Sequence, residues 1–278
     1  MKRILSCGAG VQSSTVLLMS CMGELPKLDA AIFADTGWEP PEVYEYLDFL
    51  RRTSEEHGIP FYIVGGRNIR DDAMSMVGHG EIDPSAPYQE RFISIPLYIR
   101  NHDGTDGMVR RQCTNEYKIK PVLKKIRELL GLKNGERVPP GTDLEHWFGI
   151  SLDEMRRCRM SPHKWMTYCY PLIEDCEPPM KRIDCLRWFD SKGFPRPVRS
   201  SCIGCPYKTN AEWRDLRDNH PERWADAVEF DRAMRRRPGK AKDMYLHVDL
   251  VPLDEVDLST EEERGQGMLF ECSGMCGT

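Results

Sequence analysis

The stretch Ser6-Cys7-Gly8-Ala9-Gly10-Val11-Gln12-Ser13-Ser14-Thr15 constrains this chain more than any other. It follows a short apolar segment (Ile4, Leu5) and opens into another, Val16-Leu17-Leu18-Met19. That order predicts a strand, a glycine turn and the start of a helix. Small residues let the backbone curl closely round a bound anion. The hydroxyls of Ser13, Ser14 and Thr15 and the free N–H groups of a helix N-terminus can point the same way. Phosphate is the natural ligand of such a turn. No Gly-Lys-Ser/Thr follows, which excludes a Walker A loop, and only Gly8 and Gly10 fit G-x-G-x-x-G. Taken alone, the turn is equally compatible with an ordinary tight strand-to-helix connection.

The next segment favours the first reading. Residues 28–34 (Leu-Asp-Ala-Ala-Ile-Phe-Ala) read as a second buried strand, ending in Asp35-Thr36-Gly37-Trp38-Glu39-Pro40-Pro41-Glu42. Carboxylates and a hydroxyl thus sit just past a strand's carboxyl end, the edge at which open α/β sheets bind ligands. The series resembles the adenine-nucleotide α-hydrolase group, that is, the PP-loop ATP pyrophosphatases and the phosphoadenosine phosphosulfate (PAPS) reductases. In that group the first loop typically reads S-G-G-x-D-S and the second strand ends in D-T-G. Here Gly8-Ala9-Gly10-Val11-Gln12-Ser13 is the corresponding stretch, with Ala9 and Gln12 among its departures, and Asp35-Thr36-Gly37 matches fully.

Two further islands extend the resemblance. Arg111-Gln112-Cys113-Thr114-Asn115-Glu116-Tyr117-Lys118-Ile119-Lys120-Pro121 is similar to the Arg-x-Cys-Thr…Lys-x-x-Pro segment of the reductase branch. Gly149-Ile150-Ser151-Leu152-Asp153-Glu154-Met155-Arg156-Arg157 is similar to its Gly-(Ile/Leu)-x-x-x-Glu-x-x-Arg segment. The resemblance implies a Rossmann-like (HUP) α/β fold: a parallel sheet with flanking helices, followed by a mainly helical C-terminal region. It implies an adenine nucleotide, ATP or PAPS/APS, with Mg²⁺ on its phosphates. Ser6, Gly8, Ala9, Gly10, Gln12, Ser13, Ser14, Asp35, Thr36 and Gly37 are the expected contacts, Asp35 also among the catalytic residues. Arg111, Lys118 and Arg157 are the expected counter-charges to phosphate, arginine for bidentate contact and lysine as a point charge.

The chain has 11 cysteines, an odd number that excludes a fully paired disulfide framework. Cys202-Ile203-Gly204-Cys205-Pro206 is the strongest ligand motif: C-x-x-C with an internal glycine lets two thiolates converge on one metal, and Pro206 fixes the departing chain. A thioredoxin-like redox pair and a structural zinc are the alternatives. Iron–sulfur members of the resembled group imply Cys113 as a third ligand of a [4Fe–4S] cluster; the fourth is Cys272 or Cys276, or one iron is left open. The tail Glu271-Cys272 resembles the Glu-Cys-Gly end on which sulfonucleotide reductases carry their nucleophile, without the usual final histidine. Cys272 and Cys276 are therefore also the expected catalytic thiols. Cys7, Cys21, Cys158, Cys169, Cys176 and Cys185 read as small core hydrophobes.

Residues 1–175 are expected to form the nucleotide-binding α/β domain, with a long excursion over about 66–108. Residues 176–278 are expected to form the mainly helical region bearing the C-x-x-C and the tail, with helices over 182–192 and 211–237. Net charge is −5, so no global field draws the chain to nucleic acid. The basic run 235–242 could hold a phosphate backbone, but it reads more readily as a solvated loop after a helix. Apolar runs are far too short to span a membrane, and no signal-peptide region precedes the first strand, which predicts a cytoplasmic location.

Three functions fit. The first is an ATP-dependent, pyrophosphate-releasing sulfurtransferase that adenylates its acceptor, with a nucleic acid as one candidate acceptor and a sulfur donor as partner. The second is a PAPS/APS reductase working through a tail cysteine and a thioredoxin-type reductant. The third is a non-catalytic nucleotide-binding module stapled by zinc.

Overall fold

The computed structural model describes residues 1–78, 93–101, 103–235, 243–259 and 263. In chain order the elements are β1 (Lys2–Ser6), α1 (Val11–Cys21), β2 (Ala30–Ala34), α2 (Pro41–Glu56), β3 (Phe61–Val64), α3 (Ile69–Gly78), β4 (Tyr98–Arg100) and β5 (Asp106–Met108). A π-helical turn, Thr114–Ile119, comes next, then α4 (Lys120–Leu129), β6 (Leu144–Phe148), a 3₁₀ turn (Leu152–Arg157), β7 (Met166–Cys169), α5 (Pro171–Glu174) and α6 (Arg182–Lys192). The last elements are α7 (Asn210–Asn219), α8 (Pro221–Arg235), β8 (Met244–Tyr245) and a 3₁₀ turn (Leu253–Glu255). Among the described residues no helix is long and apolar enough to cross a membrane.

Two contact units divide this chain, and their segments interleave. The first comprises residues 1–35, 39–66 and 118–200; the second comprises 36–38, 67–117 and 201–278.

The first unit is an α/β Rossmann-like fold with a five-stranded, fully parallel sheet in the order β3-β2-β1-β6-β7. All five residues of β2, Ala-Ala-Ile-Phe-Ala, are buried, as an interior parallel strand covered on both faces requires. Alternation then sorts the side chains. Leu5, Ala31, Phe33 and Trp147 join the core beneath α1, α2 and α6, while Ile4, Ile32, Leu144 and Met166 join Val122 and Ile126 of α4. A fully enclosed leucine or isoleucine such as Leu17 or Ile126 contributes about 2 kcal/mol by leaving water. Pro41 starts α2 at a position where its missing N–H costs nothing, and Val43, Tyr46, Leu47 and Leu50 form the buried stripe. β1 has β2 on one side and β6 on the other, so the topological switch point falls at the carboxyl ends of β1 and β6, where such sheets bind ligands.

The second unit carries a small antiparallel sheet, β5-β4-β8, and an apolar core built on Trp213, Phe230, Met234, Leu246 and Leu253. Asp231 is completely buried; it accepts the backbone N–H groups of Leu246 and Leu253 and pairs with Arg235. The helix expected over 211–237 is two helices. Pro221 has no N–H to continue α7, so the chain breaks at His220 and α8 begins at the proline. A capping box of Thr209 and Glu212 starts α7.

Candidate functional site

In the first unit, the turn after β1 folds onto itself. Ala9 takes φ 55°, a left-handed conformation unusual for alanine, and Gly10 caps α1 in an extended conformation. Ser13 Oγ accepts the N–H of Gly8 at 3.1 Å and donates to the Gly10 carbonyl at 3.3 Å. Gly8 is exposed and Gly10 half-buried, so the turn opens to solvent at the N-terminus of α1. Of the three hydroxyls expected to aim at a ligand, Ser14 and Thr15 are fully buried, and Thr15 donates back to the Val11 carbonyl at 2.8 Å. Ser13 alone stays in the turn itself, as the residue that closes it.

Gln12 is tied down on every side. Its amide nitrogen donates to Ser151 Oγ at 3.3 Å and Glu154 Oε2 at 3.0 Å, and its oxygen accepts from Arg182 Nη1 at 2.9 Å. An acidic residue here could not make the two donations. Arg157 pairs with Glu154 at 2.6 Å and so belongs to the same network. Beneath it, a Cβ at Gly149 would stand 2.3 Å from the backbone nitrogen of Ser13. The Gly149–Arg157 segment thus holds the glycine turn in place. Ser151 and Arg182 have no sequence signal of their own; they emerge only from their bonds to Gln12.

Asp35 closes β2 and accepts the Tyr44 hydroxyl at 2.9 Å; burial first and this carboxylate second raise the Tyr44 phenol. A Cβ at Gly65 would lie 2.3 Å from the Asp35 carbonyl oxygen. Lys118 lies half-buried in the π-helical turn, a geometry that recurs at functional sites. One polar pair escaped sequence reading. His146, in the middle of β6 and 4% exposed, lies with Nε2 2.7 Å from the hydroxyl of Ser6, the last residue of β1.

In the second unit, the residues after Asp35 grip the C-x-x-C loop. Thr36 Oγ1 lies 3.2 Å from Cys202 Sγ, and the Ile203 N–H donates to the Trp38 carbonyl at 2.8 Å. The Trp38 ring covers Gly204, where a Cβ would be 2.1 Å from the indole, and its N–H donates to Asp226 at 2.6 Å. Gly37, at φ 74°, lies so close to Asn68 that a Cβ would meet its backbone at 2.8 Å. Cys113 and Cys202 pack against the same apolar core, and the Cys113 N–H donates to the Ser94 carbonyl. Arg111 lies over the Tyr207 ring at 5.3 Å.

Those thiols do not complete a metal centre. Among the described residues no group of three or more His, Cys, Asp or Glu side chains could hold a metal ion. Cys272 and Cys276, and residues 236–242 of the basic run, lie outside the described residues. The remaining cysteines are buried or half-buried; burial pushes the Cys7 thiol up to about 11 and the Cys185 thiol to about 12.

No protein-family model matches the sequence, and no curated protein matches it. Among solved structures, the chain is similar to the phosphate complex of phosphoadenylyl-sulfate (PAPS) reductase from Candida auris. The match has 13% identity and a TM-score of 0.41, and covers 71% of this chain and 75% of that one.

Proposed function

We propose that this protein binds an adenine nucleotide with its phosphates on the Gly8–Ser14 turn and uses it for sulfur chemistry. The sulfurtransferase of the sequence reading is the specific form. The observation that carries the proposal is the turn itself: a preorganised, solvent-open loop at the N-terminus of α1, beside the switch point of a parallel sheet. The N-terminal N–H groups of α1 offer donors to phosphate oxygens, and the dipole of the helix favours their charge. Gln12, Glu154 and Arg182 keep that turn from relaxing, while Asp35 at the end of β2 offers a carboxylate to Mg²⁺ or to the nucleotide.

In the sulfurtransferase form, an acceptor oxygen attacks the α-phosphorus and pyrophosphate leaves. A sulfide-level nucleophile from a sulfur donor then attacks the activated carbon of the acceptor, so that a C–S bond forms as the C–O bond breaks and adenosine monophosphate leaves. Lys118 and Arg111 are the proposed counter-charges, and Cys113, Cys202, Cys205, Cys272 and Cys276 the proposed thiols. A [4Fe–4S] cluster on Cys113, Cys202 and Cys205 would take its fourth ligand from Cys272 or Cys276, or leave one iron open. The described residues do not supply such a set, so no step is assigned to a cluster.

The test is pyrophosphate release from ATP with candidate acceptors, alongside PAPS reduction with a dithiol reductant and iron, acid-labile sulfide and zinc analysis of anaerobically purified protein. Acceptor-dependent pyrophosphate release, together with sulfur incorporation into the acceptor that Cys202→Ser abolishes, supports the transferase. PAPS reduction that Cys272→Ser abolishes would replace it with the reductase. Neither activity, together with no binding of ATP or PAPS, would overturn the proposal.

A further inference from the structure

His146 is buried among apolar and aromatic neighbours, Phe148 at 4.3 Å and Tyr168 at 5.6 Å between ring centroids. Its Nε2 meets Ser6 Oγ at 2.7 Å, while its Nδ1 is fully enclosed and has no hydrogen-bond partner. A neutral imidazole is one donor and one acceptor. An enclosed N–H without an acceptor is among the rarest faults in proteins, and a bare lone pair is more easily tolerated. The proton therefore sits on Nε2 and is donated to Ser6.

That choice fixes what Ser6 does. Its oxygen accepts from His146 while its own O–H stays available to donate, its side chain has no other partner among the described residues, and it is half-buried at the carboxyl end of β1, where the switch point opens. We infer that Ser6 is a ligand-facing hydrogen-bond donor, oriented by His146, and that it donates to an oxygen or nitrogen acceptor of the bound nucleotide. The inference rests on the nucleotide reading above. Burial lowers the His146 imidazole to about 3, so it is too weak a base to deprotonate Ser6. Ser6 is thus a donor rather than a nucleophile, and His146 is a positioning residue.

Two measurements test the pair. Nitrogen-15 NMR of histidine-labelled, ligand-free protein reads the tautomer directly. The Nε2–H form is expected, and an Nδ1–H form, or an imidazolium at pH 6, would overturn the inference. Calorimetric titration with ATP then compares wild type, Ser6→Ala, His146→Phe, His146→Gln and the double variant Ser6→Ala/His146→Phe. Ser6→Ala is expected to weaken ATP by about five- to tenfold, the range of one lost hydrogen bond. His146→Phe should weaken it comparably and the double variant no further, with His146→Gln restoring much of the affinity through its amide N–H. Wild-type affinity in Ser6→Ala, or fully additive losses, would overturn this inference alone. Absence of ATP binding by the wild type would overturn the nucleotide reading and this inference with it.

Discussion

Gly149 packs against the backbone of Ser13 so closely that a methyl group on it would stand 2.3 Å from the Ser13 nitrogen and 2.4 Å from its α-carbon. The end of β6 and the start of α1 therefore meet as bare backbone. Gly149→Ala must push the two apart, because neither contact is the movable end of a side chain. We expect a loss of about 3 kcal/mol or more in urea denaturation, at the severe end of overpacking, together with loss of nucleotide binding. A variant of wild-type stability would show that this contact is looser than described.

Gly204 and Trp38 repeat this relationship in the second unit, with one difference: the obstacle is a side chain. Gly204→Ala should destabilise by about 1–3 kcal/mol, and Trp38→Leu by a few kcal/mol through lost burial. The double variant should cost at least 1 kcal/mol less than the sum, since leucine leaves room for the new methyl. Simple additivity in denaturation would contradict the contact.

His146 gives the fold a specific acid lability. Its folded pKa is lowered to about 3 from 6.5. The unfolded chain therefore takes up a proton as pH falls through 6.5, whereas the folded chain does not until about pH 3. Stability from this group is complete above pH 6.5 and is lost as pH falls, by about 1.4 kcal/mol per unit. Between pH 6.5 and 4.5 the wild type should lose about 2–3 kcal/mol that His146→Gln does not lose. Identical pH slopes for the two proteins would refute the assignment.

The buried thiols make a chemical prediction. Cys7 and Cys185, 2% and 0% exposed and with thiol pKa values raised by burial, should resist alkylation in the native protein at pH 7.5 and react once it is unfolded. Labelling followed by peptide mass analysis decides it; rapid native modification of either residue would contradict their burial.

Where the chain's local signals agree with its packing, they were legible in the sequence. The glycine turn, the helix over Pro41–Glu56 and the strand over Phe61–Val64 follow from periodicity, a proline at a helix start and a β-rich apolar run. Pro221 was an explicit break signal that the surrounding apolar period masked. The interleaving of the two units was not legible, because residues 67–117 join 201–278 through contacts that no local pattern announces. At the site, the glycines and serines were visible as a motif, but the fixing of Gln12 by Ser151, Glu154 and Arg182, up to 170 residues away, exists only in the fold. His146 was invisible for the same reason: one histidine in an apolar strand carries no signal until Ser6 lies beside it.

The measurement that bears most directly on the central claim is a titration of nitrogen-15-labelled protein with MgATP, following backbone amide resonances. Saturable shifts concentrated at Gly8, Gly10 and Val11–Ser14, with neighbouring effects at Gly149–Ser151, are the predicted result. No saturable shift, or shifts confined to other parts of the chain, would contradict the assignment of the turn as the phosphate site.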